Sequence, residues 1–178
     1  MANSSIITAL KKSVIKEIIK DEDLFYAIDS PYVQAPKEAD KLVYKNIFPY
    51  HKHPDAITDT ITFLTIQVQI PKTYDRNNIW VTPRLEIWIY SHDRHMVVDN
   101  IPKISDNRND YISKLLDRKF NGQSSFGNNK NSKNDLNIIG KLKLVSNIEE
   151  TFSKDFLYRQ MVFEMVDLND SLCDFEII

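Results

Sequence analysis

The most constraining feature of this chain is a strictly alternating stretch at residues 62–70, with the sequence TFLTIQVQI. Apolar and polar side chains take turns along it: Leu64, Ile66, Val68 and Ile70 against Thr65, Gln67 and Gln69. Successive residues of a strand point to opposite faces of a sheet, so the pattern predicts a strand with one buried face and one wet face. Pro71 cannot donate to a ladder and ends the strand.

A second strand is predicted at residues 84–90, with Leu85, Ile87 and Ile89 facing the core. The polar residues 72–78 between the two strands favour a hairpin connection. Trp88 and Tyr90 then fall on the nominally wet face. Two large aromatic side chains there indicate that this face is covered, either by another element of the chain or by another chain.

Helical periodicity marks two further segments. Apolar residues recur at helical spacing along residues 6–19, after a capping serine at position 4 or 5, and lysines occupy much of the other face. Such a helix can pack on the sheet or lie on a membrane, and packing on the sheet is the simpler interpretation. The acidic residues 21–23 end this helix or begin a short second one. Another helix is predicted at residues 111–120, capped by Asn109 or Asp110 and stopped at residues 121–122.

Two closing strands follow. Residues 141–144 alternate, with a possible extension to Ile148, and residues 157–166 carry apolar side chains on both faces, which is typical of a central strand or of one covered by a partner. Residues 41–48 are compatible with a short strand. The predicted fold class is therefore α+β: a four-stranded, mainly antiparallel sheet with the N-terminal helix and a second helix packed on one face.

The 178 residues, 42% of them hydrophobic, are predicted to form a single domain spanning 1–178. Three segments stand apart from its core: a proline-broken connector at 29–60, a long polar loop at 121–137 and a C-terminal arm at 168–178. No apolar run approaches 18 residues, so no membrane span is expected. The first residues lack the basic start and apolar centre of a secretory signal.

Charge is unevenly distributed although the net value is only −2. Residues 72–143 hold 13 Lys and Arg against 8 Asp and Glu, whereas residues 144–178 hold 2 against 8. This asymmetry predicts one surface that meets another of opposite sign, within the chain or between subunits, or else two solvated faces.

No catalytic constellation is evident, and neither a cofactor nor a metal is expected. The three glycines form no phosphate-binding loop, and the single Cys173 has no basic activator nearby in the sequence. The histidines do form two close pairs, His51 with His53 and His92 with His95, which leaves a metal-dependent enzyme as an alternative. A small binding module with a protein or peptide at the sheet edge is a third option.

The order of elements across residues 5–168 resembles that of tailed-phage tail terminator proteins, also called tail-completion or tail-to-head joining proteins. The resemblance lies in the N-terminal amphipathic helix, the proline-broken connector, two long strands, a helix containing ISKLL at residues 112–116, and two closing strands. It implies a non-enzymatic, small α/β-type structural protein of the virion, assembled in the host cytoplasm, that forms a hexameric ring.

The resemblance also implies partners. The ring would cap the tail tube protein, join the head or neck connector proteins, and let DNA pass through its lumen without specific binding. No membrane partner is implied. The candidate ring or tube contacts are Trp88, Tyr90, Phe126, Lys130, Lys133, Phe175 and Ile177. Because the chain is longer than compact members, a neighbouring neck or head-completion connector is the alternative role.

Overall fold

The computed structural model describes residues 5–70, 80–101, 106–123, 141–165 and 167–168. Within them the chain forms three α-helices: α1 (Ser5–Ile19), α2 (Glu22–Ile28) and α3 (Arg108–Phe120). The strands in the same ranges are β1 (Ile47–Phe48), β2 (Thr62–Gln69), β3 (Trp80–Val81), β4 (Arg84–His92), β5 (Lys143–Thr151), β6 (Phe156–Glu164) and β7 (Asp167–Leu168). Short 3-10 turns lie at Pro36–Leu42, Pro54–Ala56 and Asp93–His95. None of the described helices is both long and apolar enough to cross a membrane.

The main sheet has five strands in the order β1-β2-β4-β6-β5 and is mixed. The prediction of four strands was wrong by one, because β1 adds a short parallel edge to β2 through the pair Ile47↔Leu64. The other three pairings are antiparallel, and the predicted hairpin partners β2 and β4 are neighbours with Ile66 opposite Ile87. Strands β3 and β7 pair separately as a two-stranded ribbon.

All three α-helices cover one face of the sheet, as predicted. Their apolar residues share one core with alternate residues of β2, β4 and β6: Leu10, Val14, Ile18, Leu24, Ile112, Leu116 and Phe120 with Leu64, Ile66, Leu85, Ile87, Ile89, Met161 and Phe163. Packing on the sheet is therefore the observed role of the apolar stripe of α1. The acidic run opens α2, because the Asp21 side chain accepts from the Leu24 N–H at 3.1 Å.

The predicted cap of α3 was wrong by two or three positions. The Asn107 side chain accepts from the Asp110 N–H at 2.8 Å, and Arg108 and Asn109 already belong to the helix. The sequence offered several capping residues in a row, and the pattern of apolar residues does not distinguish among them. The predicted stop is confirmed, since Gly122 takes a left-handed φ of +81°.

The opposite face of the sheet is less exposed to solvent than predicted. Thr65, expected to be solvated, is fully buried, as is its neighbour Phe63. A second core covers them, formed by Phe48, Ile61, Phe63, Tyr90 and Phe156 with Ile57, Trp88, Phe152 and Tyr158 against it. We refer to this set as the outer cluster. The sheet is thus buried on both faces along its centre, which explains the two-faced apolar pattern of β6.

Candidate functional site

The predicted contact residues Trp88 and Tyr90 both lie in the outer cluster. Tyr90 stacks on Phe63 with ring centroids 4.9 Å apart and has no exposed surface, and Trp88 packs on Tyr158 at 5.2 Å. The cover comes from this chain, through the connector before β2 and the turn between β5 and β6. Tyr90 is therefore unavailable to a partner, contrary to its assignment as an exposed contact, whereas Trp88 remains half-buried.

Burial raises the pKa of the Tyr90 hydroxyl, so that the group stays protonated. Its oxygen is buried without a hydrogen-bond partner in the part of the chain that the structure describes, as are Thr65 Oγ1 and Trp88 Nε1. These atoms belong to neighbouring strands: Thr65 pairs with Trp88 across β2 and β4. The hydroxyl of Tyr90 consequently adds burial cost to the outer cluster without a compensating bond.

The four histidines do not converge on one site. His51 meets the Trp88 ring edge-on at 5.5 Å, and His53 meets Phe152 at 5.0 Å. His92 packs on Phe156, while its Nδ1 accepts from the Arg94 N–H at 3.1 Å. Across the described ranges, no group of three or more His, Cys, Asp or Glu could hold a metal ion. These residues give the metal-dependent alternative no geometric support.

His95 belongs instead to a buried polar network that the sequence pattern did not reveal. Its Nδ1 lies 2.9 Å from Thr62 Oγ1, and its Nε2 lies 3.4 Å from Asp29 Oδ2. Thr62 Oγ1 continues at 2.8 Å to Ser91 Oγ, which donates to Asn109 Oδ1 at 2.7 Å. The network therefore joins the end of α2, the ends of β2 and β4, and the first turn of α3.

Arg108 is fully buried beside this network and links the first turn of α3 to the end of α2. Its guanidinium donates to three carbonyl oxygens, those of His95 at 2.6 Å, Ala27 at 2.7 Å and Val97 at 2.9 Å, and lies 3.4 Å from Asp29 Oδ2. Burial, and secondarily the Arg108 charge, lower the pKa of His95. A buried arginine at a helix start has no sequence signature, because its partners are backbone atoms.

Asp29, His95 and Thr62 follow the order carboxylate, imidazole and hydroxyl of a catalytic triad. Their surroundings, however, do not suit a nucleophile. Thr62 and Ser91 are fully buried, and each hydroxyl is already engaged by a side chain. A nucleophile must reach its substrate, and these oxygens are sealed beneath the first turn of α3. The network is a structural clamp.

One described surface that is open to a partner is β5, a nine-residue strand at one end of the sheet. Within the described residues no strand pairs with its outer edge. Val145 and Ile148 are 48% and 47% exposed, which is unusual for large apolar side chains of a strand. A register shift lies between Leu144 and Ser146. We call this strand with its exposed side chains the β5 edge.

The β5 edge is held in place by its neighbour β6. Arg159 donates to Glu149 Oε2 at 2.9 Å and to Asn147 Oδ1 at 3.1 Å, and also pairs with Asp110 of α3. On the other face, the Tyr158 hydroxyl donates to Glu150 Oε2 at 2.6 Å, and this bond raises the pKa of Tyr158. These side-chain bonds between β6 and β5 hold β5 in a fixed position, so its outer backbone edge is ordered.

The opposite end of the sheet carries a second exposed feature, the turn before β1. Tyr44 has a left-handed φ of +65°, a conformation that bulky side chains rarely adopt, and its ring is 66% exposed. Asn46 fixes the turn: its buried amide donates to the Thr62 carbonyl at 2.8 Å and accepts from Ser30 Oγ at 2.6 Å. We call this segment, residues 43–46, the Tyr44 turn.

Within the described residues, part of the charge asymmetry is neutralised by ion pairs inside the chain. Arg84 of the basic stretch pairs with Glu164 of the acidic one across β4 and β6 at 2.5 Å. Arg118 and Lys119 at the end of α3 pair with Asp23 and Asp21 at the start of α2. Of the alternatives drawn from the sequence, charge pairing in cis is therefore realised.

The remaining predicted contact residues lie outside the described residues. Phe126, Lys130 and Lys133 fall in 124–140, and Phe175 and Ile177 in 169–178, as does Cys173. They stay predictions.

The chain matches the YomW family model over residues 20–165. This is more than half of the chain, so the chain belongs to the YomW family. The family name is phage-derived, of the SPbeta type, and states no activity. No curated protein and no solved structure matches the chain.

Proposed function

We propose that this YomW-family chain is a non-enzymatic structural protein of a phage particle, one that works by binding copies of itself and neighbouring virion proteins. In its finer form the proposal is a tail terminator: a ring, of six subunits by resemblance, that caps the tail tube and joins it to the head or neck. Assembly would take place in the host cytoplasm.

The observation that carries the proposal is the β5 edge. A free strand edge is a template for pairing with another chain, and proteins guard such an edge by shortening, covering, charging or bulging it. The β5 edge carries Glu149, Glu150 and a register shift, but it is neither short nor, within the described residues, covered by another strand. Here the edge is nine residues long, ordered by Arg159 and Tyr158, and carries exposed Val145 and Ile148. Such an edge suits an assembling protein better than a solitary one.

Two further observations support a structural role over an enzymatic one. The His95 network seals its hydroxyls from solvent. The phage-derived family name agrees with a virion component. DNA would pass the ring without specific binding if acidic groups lined the lumen, because they repel phosphate.

The alternative is a neck or head-completion connector. Both roles need self-association, and they differ in the first partner: the terminator binds the end of the tail tube, the connector binds a head or neck protein. Family membership and an open edge support both equally, and the resemblance in element order favours the terminator.

The test is light scattering across a range of concentrations, followed by negative-stain microscopy, with and without tail tube protein. A closed ring that binds tube ends supports the terminator, and a ring that binds only head or neck proteins supports the connector. A protein that stays monomeric at high concentration and in the presence of every one of these partners contradicts the proposal.

A further inference from the structure

We infer that subunits of this protein join head to tail, with the β5 edge of one copy packed on the Tyr44 turn of the next. The inference rests on the proposed function and specifies its contact. The two surfaces lie at opposite ends of the sheet order β1-β2-β4-β6-β5, so one copy can use both at once. A contact between two different patches is heterologous, and it closes into a ring when the rotation per subunit permits.

The charges of the two surfaces are complementary. Residues 43–53, around β1, hold two lysines, two histidines and no carboxylate. At the other end, Arg159 is shared between Asp110 and Glu149, and Glu150 adds a third carboxylate with only a tyrosine hydroxyl as its partner. Among the described residues, the carboxylates at this end of β5 thus outnumber the cations that pair with them. Near β1, Lys45 and Lys52 lie over the rings of Tyr32 and Phe48 without a carboxylate partner in the described ranges, whereas Asp55 and Asp59 are already engaged by His53 and the Tyr32 hydroxyl. Opposite potentials steer and align two patches.

Both surfaces also expose apolar area. Tyr32, Tyr44 and Tyr50 are all exposed near β1, and Val145 and Ile148 are exposed on β5. Tyrosine is enriched where interfaces gain most of their energy, because its ring is large and loses little entropy on binding. A tyrosine turn on one copy and two aliphatic side chains on the next are suitable contact partners.

The strain at Tyr44 is the second, independent observation. At a φ of +65°, an exposed position whose side chain has no role is usually occupied by glycine or asparagine. The turn instead keeps a tyrosine there and fixes it with Asn46, whose bonds to Ser30 and Thr62 are buried. Strain of this kind often persists at functional sites, and here the strained residue presents its ring to solvent, where a partner can reach it.

The test uses four variants that leave the cores intact. Ile148→Arg blocks the β5 edge, and Tyr44→Gly removes the ring and relieves the strain. Val97→Arg is the matched control at an exposed apolar residue that belongs to neither surface. Val145→Arg is a second β5-edge variant. Urea midpoints establish that each variant is folded before its mass is measured by light scattering.

We expect Val97→Arg to assemble like the wild type, and Ile148→Arg and Tyr44→Gly each to raise the dissociation constant at least tenfold. Mixed one to one, the two defective variants retain one intact contact per pair. The mixture should therefore form dimers and stop there. A two-fold contact would instead leave one of the variants able to dimerise alone, which would overturn the inference.

The outcomes separate this inference from the proposed function. Rings that form and bind tube ends despite Ile148→Arg, Val145→Arg and Tyr44→Gly overturn the head-to-tail contact and leave the terminator role standing. Assembly that depends on both surfaces but yields open filaments without affinity for tube, head or neck proteins supports the contact and overturns the role. A wild-type protein that remains monomeric throughout overturns both.

Discussion

Arg108 Nη1 donates to the carbonyl oxygen of Ala27 at 2.7 Å, across 81 positions of sequence. The bond joins the first turn of α3 to the end of α2, and with its companions it gives each of the three guanidinium nitrogens an acceptor. The corner of the fold next to the strand ends depends on this one side chain.

Replacing Arg108 by Met should destabilise the protein by at least about 3 kcal/mol. Three carbonyl oxygens lose their donor, and an unsatisfied buried polar group costs about 1–3 kcal/mol. Urea unfolding monitored by circular dichroism measures the change. Lys114→Met, on the exposed face of the same helix, is the control and should shift stability by less than about 0.5 kcal/mol. Equal effects of the two substitutions would contradict the clamp.

The free energy of unfolding should decrease as the pH falls, and His95 should account for part of this decrease. Its pKa is lowered in the folded state, so below about 6.5, the ordinary value, the unfolded chain binds a proton that the folded chain excludes. The stabilisation is present above that pH and is lost as pH falls toward the folded pKa. His95→Gln should flatten the dependence of the urea midpoint between pH 7.5 and 5.5. An unchanged slope in His95→Gln would argue against this role.

The sequence predicted the parts of this structure that depend on periodicity. The alternation at residues 62–70 and 84–90 specifies β2 and β4, and the helical spacing of residues 6–19 specifies α1, because an exposed and a buried face impose a repeat on the residue types. The same reasoning treated Thr65 as solvated and Tyr90 as open to a partner, because a strand pattern does not show what a distant connector covers.

The candidate site was mostly beyond sequence reasoning. Neither the left-handed Tyr44 nor the buried Arg108 carries a local signal, since the first is fixed by Asn46 and the second by backbone carbonyls of remote segments. The edge position of β5 follows from strand order, which the sequence does not state. The pairing of Arg84 with Glu164 realised one of several options that the charge distribution left open.

Tyr44→Gly should stabilise the isolated subunit by about 0.5–1 kcal/mol. Glycine removes the cost of about 1–2 kcal/mol that a left-handed conformation imposes on other residues, less the entropy that it adds to the unfolded chain. Tyr44→Ala is the matched control: it removes the same ring but keeps the Cβ, and therefore the strain. Chemical denaturation of both, at concentrations too low for assembly, gives the comparison. A gain of stability in the alanine variant as well would indicate that the ring, not the backbone, carries the cost.

Tyr90→Phe should be neutral or stabilising by up to about 1 kcal/mol. The substitution removes a buried hydroxyl that has no partner among the described residues and leaves its ring stacked on Phe63. Tyr158→Phe, which loses the bond to Glu150, should instead cost up to about 1 kcal/mol. Thermal unfolding of both variants decides: a loss of stability in Tyr90→Phe would mean that its hydroxyl has an acceptor.

The register shift between Leu144 and Ser146 has a consequence for misassembly. A long, flat, exposed strand can recruit further strands without limit, which is how amyloid fibres grow. A bulge bends the strand and sharpens its local twist, so the side-chain alternation of β5 is interrupted near Val145. An extended peptide of regular pleat cannot follow the edge along its full length. The register shift therefore protects the exposed strand against unlimited addition of regular extended strands.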